Sequence, residues 1–76
     1  MTRVGLKRAQ HLVEGEAYRR IMSGQIPETL DEFARELMVW LKEAYPTASA
    51  MPQARIERQL EDIWHRRHEM IRGGGS

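Results

Sequence analysis

The prolines of this 76-residue chain divide it into three segments and so limit its fold. Pro27 lies in the break 23–27, and Pro46 and Pro52 lie at the two ends of the break 46–52. A proline inside a helix removes a backbone hydrogen bond, and none of these three falls inside a periodic stretch. The breaks therefore predict three helices, over about 4–22, 30–45 and 53–72.

Apolar residues recur in each segment at the spacing of one helix face. The first stripe is Leu6, Ala9, Val13, Ala17 and Ile21. The second is Leu30, Phe33, Ala34, Leu37, Leu41 and Ala44, widened by Met38 and Trp40. The third is Ile56, Leu60, Ile63, Trp64, Met70 and Ile71, interrupted by Arg67. At Arg67 either the helix overhangs the core or the side chain carries its charge out to water along a packed stem.

Two local signals set the ends of the predicted helices. Ser23 and Gly24 form a plausible stop for the first helix, because glycine readily takes the left-handed conformation. Thr29, followed three residues later by Glu32, predicts a capping box at the start of the second helix. No run alternates with period two, so no sheet of consequence is expected. The predicted fold class is all-α: a three-helix bundle with the second helix central, or a helix-turn-helix-like variant of it.

Size and composition exclude several classes of protein. We expect one domain over 1–72, and the Gly-Gly-Gly-Ser stretch 73–76 is typical of a flexible tail or an added linker. The chain has no cysteine, no glycine-rich phosphate loop and no apolar run of membrane-spanning length. We therefore expect a cytoplasmic protein that is not an enzyme, has no cofactor or evident small-molecule substrate, and does not bind a membrane.

Charge is uneven along the chain although the formal net charge is only +1. Residues 1–23 carry +3, residues 28–45 carry −3 and residues 53–72 carry +1. In the third helix, Asp62 lies four residues from both Arg58 and Arg66, and His65 lies four residues from two glutamates. This spacing predicts ion pairs that neutralise most of that helix.

The favoured function is protein–protein association, including self-association as a homodimer, in a small regulator, adaptor or inhibitor. Val39 points away from the apolar stripe, and residues 37–41 are all apolar. Exposed apolar patches mark interfaces, and tryptophan and tyrosine are frequent anchors in them. The candidate interface residues are Met38, Val39, Trp40 and Tyr45.

The alternative function is DNA binding by the third helix of a helix-turn-helix-like regulator. Arginine and glutamine read guanine and adenine edges in the major groove. The candidate nucleic-acid residues are Gln53, Arg55, Arg58, Gln59 and Arg66, with Arg3, Lys7 and Arg8 as a phosphate-contacting cluster. The low net charge, the expected ion pairs and the long second break argue against this alternative.

The third helix also presents a candidate metal site. Glu61, His65 and His68 share one face of a continuous helix, which suits a divalent ion. No second motif completes a tetrahedral set, so we expect no metal to be bound.

Overall fold

The computed structural model describes the backbone of residues 4–73 and the side chains of residues 4–71. Residues 4–73 form four helices: α1 Leu6–Met22, α2 Leu30–Ala44, α3 Gln53–His65 and α4 Arg67–Gly73. The predicted all-α class is confirmed, and α1, α2 and α3 each contact the other two, as in a three-helix bundle. The last three residues of the predicted tail lie outside the described residues, and Gly73 belongs to α4.

Helix α1 is held in the bundle by four side chains spaced four residues apart. Ala9, Val13, Ala17 and Ile21 are fully buried. The helix ends where the sequence predicts, because Gly24 has a φ of 77°. The Gly24 N–H donates to the carbonyl of Ile21 and the Gln25 N–H donates to that of Arg20, at 3.1 and 2.9 Å. This pair of bonds is a Schellman motif and satisfies carbonyls at the helix end.

Helix α2 begins at the predicted cap. The Thr29 hydroxyl accepts a hydrogen bond from the Glu32 N–H at 3.2 Å. Asp31 and Glu32 place negative charge in the first turn, where the helix dipole favours it. Phe33, Ala34, Leu37 and Leu41 form the buried face that packs against the other helices.

The third predicted helix is divided in two, which corrects the expected single helix over 53–72. At Arg66 the φ and ψ angles are −99° and 7°, and its N–H reaches the carbonyls of Asp62 and Ile63 at 3.2 Å each. The chain then restarts as α4, which contacts both α1 and α3. The break turns Met70 back onto the core, so the helix does not overhang it.

Aromatic packing and the second connection complete the core. The rings of Phe33 and Trp64 lie 5.1 Å apart, joining α2 to the end of α3. In the connection, Met51 is buried and Ser49 bonds the carbonyl of Val4 through both its N–H and its hydroxyl, at 3.0 and 3.2 Å. The connection is thus fastened to the segment that precedes α1.

Three residues of the predicted stripes are exposed instead of buried: Leu6, Ala44 and Ile71. Each lies at or near the end of its helix, where the neighbouring helices no longer cover the surface. The core is therefore shorter than the periodicity alone indicates.

Candidate interaction surfaces

The candidate interface residues of α2 differ in exposure. Val39 is 47% exposed, whereas Met38, Trp40 and Tyr45 are half-buried. The Trp40 and Tyr45 rings meet edge to face, with their centres 5.7 Å apart. Val39 is thus the large apolar side chain most open to solvent on this helix, and the ring of Trp40, the next residue, packs against Tyr45.

Val39 and Trp40 line a shallow depression of about 700 Å³ beside α2. We call this region the α2 surface; it consists of Arg20, Arg35, Glu36, Val39, Trp40, Glu43 and Ala44. Its apolar part is Val39, Trp40 and Ala44. The other lining residues are two arginines and two glutamates, so the charges balance. Met38 and Tyr45 are not among the lining residues.

Arg20 connects the α2 surface to α1. Its guanidinium lies 2.8 Å from a Glu16 carboxylate oxygen and 3.5 Å from one of Glu36. Arg19 also bonds Glu16, at 2.8 Å. The hydrogen bond from Arg19 is the largest cause that lowers the pKa of Glu16 from 4.5 to about 2; burial opposes it, and the hydrogen bond from Arg20 adds to the lowering. Arg20 therefore occupies a fixed position at the edge of the depression.

A second concave region, of about 710 Å³, lies between α1 and α3. We call it the α1–α3 groove; it is lined by Lys7, Gln10, His11, Glu14, Pro52, Ala54, Arg55, Arg58 and Gln59. Three cations and one carboxylate line it, so it carries excess positive charge even with His11 neutral. Of the predicted phosphate-contacting cluster, Lys7 lines the groove, Arg8 is exposed on α1, and Arg3 lies outside the described residues.

The ion pairs expected along the third helix do not form, which corrects the sequence-based interpretation. Within residues 4–71, no carboxylate oxygen lies within 4.0 Å of a charged nitrogen of Arg55, Arg58 or Arg66. Asp62 likewise has no ion-pair partner in this range. Exposed pairs gain little over solvation, so i, i+4 spacing alone does not hold two side chains together. The arginines of the groove remain available for anions.

The amides of the two predicted base-reading glutamines donate hydrogen bonds to other groups of this protein. The Gln53 amide donates to a carboxylate oxygen of Asp31 at 2.6 Å and to one of Glu57 at 3.1 Å. The Gln59 amide donates to the carbonyl of Gln10 at 2.7 Å, and its own buried oxygen has no partner among the described residues. The amide of each glutamine therefore forms a contact between two helices.

Of the five predicted nucleic-acid residues, the structure brings Arg55, Arg58 and Gln59 together in the groove. Gln53 and Arg66 are not among its lining residues. Arg66 forms the C-terminal cap of α3, where its Nε donates to the carbonyl of Asp62 at 3.4 Å. Of the α1 residues that line the groove, the sequence predicted only Lys7 as a nucleic-acid contact. The other residues on that side are the half-buried Gln10 and the exposed His11 and Glu14, and only the helix packing shows that they face α3.

The described residues contain no group of three or more His, Asp or Glu side chains that could hold a metal ion. His65 ends α3 and His68 lies in α4, so the two histidines do not share one continuous helix. Within residues 4–73, no helix combines the length and the apolar character that a membrane span requires.

Comparisons with known protein families, with curated proteins and with solved structures find no match for this chain. Function is therefore inferred from the two surfaces alone.

Proposed function

We propose that this protein acts as a small non-enzymatic binding module that associates with another protein through the α2 surface. The observation that carries the proposal is Val39, a β-branched apolar residue 47% exposed in the middle of a helix and at the edge of a depression. Covering it removes apolar area from water, which favours association by roughly 25 cal/mol per Å².

The surroundings of Val39 support a protein partner. Trp40 offers an aromatic face whose orientation is held by Tyr45, so little side-chain entropy is lost on binding. Its apolar side chains lie beside two arginines and two glutamates, and protein interfaces likewise combine apolar and polar side chains. A surface with balanced charge has no preference for a polyanion.

The proposal is tested by capture on the immobilised protein from a lysate of cells that express it. Val39→Asp places a charge in the middle of the surface and is expected to remove the captured protein. The matched control is Ala50→Asp, which adds the same charge at an exposed position of the second connection, outside both surfaces. Circular dichroism verifies that both variants fold. Equal capture by the unmodified protein and by Val39→Asp would contradict the proposal.

A second candidate function, nucleic-acid binding, is favoured by the α1–α3 groove. Lys7, Arg55 and Arg58 lie along it without a carboxylate within 4.0 Å among the described residues. Unpaired cations bind phosphates and release counterions. Because the amides of Gln53 and Gln59 already donate to groups of this protein, this mode would contact the phosphate backbone of the nucleic acid and show little sequence preference.

Fluorescence anisotropy with a labelled DNA duplex tests this second candidate. Affinity is expected to fall steeply with salt, and Arg55→Ala with Arg58→Ala is expected to reduce the salt slope by about 2, close to 0.9 for each phosphate that is no longer neutralised. Lys42→Ala, which removes an exposed cation from α2, is the control. If the double variant binds with an unchanged salt slope, the groove is excluded as the nucleic-acid site.

A further inference from the structure

Two rows of exposed side chains cross at Val39, and the two ends of each row carry opposite charges. Along the i, i+4 row, Arg35 precedes Val39 and Glu43 follows it. Along the i, i+3 row, Glu36 precedes it and Lys42 follows it. All four charged residues are exposed. Such rows are the ridges by which helices pack against one another.

A row with opposite charges at its ends is complementary to a copy of itself that runs in the opposite direction. When two α2 helices pack antiparallel about a two-fold axis at Val39, the residue four places before it lies level with the residue four places after it in the copy. Arg35 then meets Glu43 of the second copy, and Glu36 is level with Lys42 of the second copy. A parallel pairing would instead place each charge against its own kind.

We propose that the partner of the α2 surface is a second copy of this chain, packed antiparallel with Val39 on the two-fold axis. This inference rests on the proposed function and names its partner. Packing of the i, i+4 rows of both helices, at a crossing angle of about −50°, brings Arg35 and Glu43 closest together. Val39 then lies at the centre of the contact with the four charges around it, while Trp40 and Ala44 lie further round the helix, at one side of the contact.

The ion pairs seen within one chain do not oppose this arrangement. Arg35 lies 3.0 Å from Asp31, with side chains 60% and 56% exposed, and such exposed pairs contribute only about 0–1 kcal/mol. When Arg35 turns to the second copy, Asp31 keeps its hydrogen bond from Gln53.

Glu36 lies 3.5 Å from Arg20 and its side chain is 50% exposed, so this contact also leaves it open to Lys42 of the second copy. Glu43 and Lys42 make no ion pair with the other described residues. The charges needed for the dimer are therefore accessible.

Charge reversal gives a sharp test. The measurement is the mass from sedimentation equilibrium over a concentration series, because a contact centred on one helix pair is small and therefore weak. Arg35→Glu alone places one glutamate against another across the dimer, and Glu43→Arg alone places one arginine against another. By symmetry, each of these repulsive contacts occurs twice in the dimer. Each single variant is expected to dimerise about tenfold more weakly than the unmodified protein.

Two combinations of these substitutions restore complementary charges across the dimer. The double variant Arg35→Glu with Glu43→Arg is expected to dimerise again. An equimolar mixture of the two single variants is expected to form a heterodimer, since both contacts between the two different chains pair opposite charges. Arg8→Glu, a reversal at an exposed position of α1, is the control and is expected to leave dimerisation unchanged. Circular dichroism confirms folding of every variant.

A monomer mass for the unmodified protein at every concentration would overturn the self-association. So would a dimer that both single reversals leave intact, or folded single variants that fail to associate when mixed. None of these results removes the proposed function, because capture that depends on Val39 would still show a different protein partner. Loss of Val39-dependent capture together with rescued dimers would instead leave self-association as the sole activity of the α2 surface.

Discussion

The guanidinium of Arg67 lies 4.0 Å from the centre of the Trp64 ring, and the same side chain donates a hydrogen bond to the Trp64 carbonyl at 2.6 Å. Arg67 thus satisfies a carbonyl at the end of α3 while covering the ring beneath it. Trp64 is only 5% exposed although it is the second-last residue of its helix. On its other side the indole packs against Phe33. Arg67, the polar residue that interrupts the apolar stripe, therefore forms part of the boundary of the core.

Replacing Arg67 with alanine is expected to lower the free energy of unfolding by about 1–2 kcal/mol, because it removes both the cation–π interaction and the stem that covers the ring. Arg67→Lys is expected to recover part of this, since an ammonium cannot stack as a planar guanidinium does. Urea denaturation followed by circular dichroism measures both variants. Arg66→Ala is the control, because Arg66 is exposed and its side chain makes one long bond. Equal losses at the two positions would contradict the stacking role.

Gln59 gives a second prediction. Its amide bonds the Gln10 carbonyl, but its buried oxygen has no partner among the described residues. Gln59→Leu removes one good bond and one unsatisfied atom, so we expect a change of less than about 1 kcal/mol. Gln59→Glu removes the donor and adds a poorly solvated charge, and is expected to cost about 1–3 kcal/mol. This cost should diminish in acid, where a protonated carboxyl donates to Gln10. Thermal unfolding at two pH values measures the difference.

Local signals predicted the fold well because they act within a few residues. The stop at Ser23–Gly24 appears as a Schellman motif, and Thr29 caps α2 as expected. The division at Arg66 has no such signal, since neither glycine nor proline stands there and the helical period continues past it. It accompanies the contacts of Arg67 with Trp64 and of Met70 with the core, which depend on where α1 and α2 lie.

The candidate surfaces show the same limit. The exposure of Val39 follows from its phase opposite the buried stripe, which the sequence displays. The position of Arg20 beside Val39 depends on how α1 packs against α2, and no spacing within one helix reveals it. The predicted ion pair between Asp62 and Arg58 is absent for the opposite reason. Its spacing is visible in the sequence, but exposed charges gain little by meeting.

Glu16 predicts how stability depends on pH. Its side chain is 10% exposed and bonds Arg19 and Arg20, which lower its pKa to about 2 from an ordinary 4.5. The folded state thus binds this proton less readily than the unfolded chain, so the stabilisation is fully present above about pH 4.5 and is lost as the pH falls toward 2. Glu16→Gln is expected to be less stable than the unmodified protein at pH 7 and nearly equal to it at pH 2. Urea unfolding across this range measures the difference, and a gap that stays constant would contradict the role of Glu16.

Gly15 and Gly24 are expected to respond in opposite ways to alanine. Gly15 lies exposed in the interior of α1, and an added Cβ would meet no atom within 4 Å. Alanine there restricts the unfolded chain and favours the helix, so the free energy of unfolding should rise by about 0.5–1 kcal/mol. Gly24 has equally open space but a φ of 77°, which disfavours a side chain; alanine should therefore destabilise by about 1 kcal/mol. Chemical denaturation of the two variants measures this contrast. If both substitutions stabilise the protein, the left-handed turn after α1 is not formed in solution.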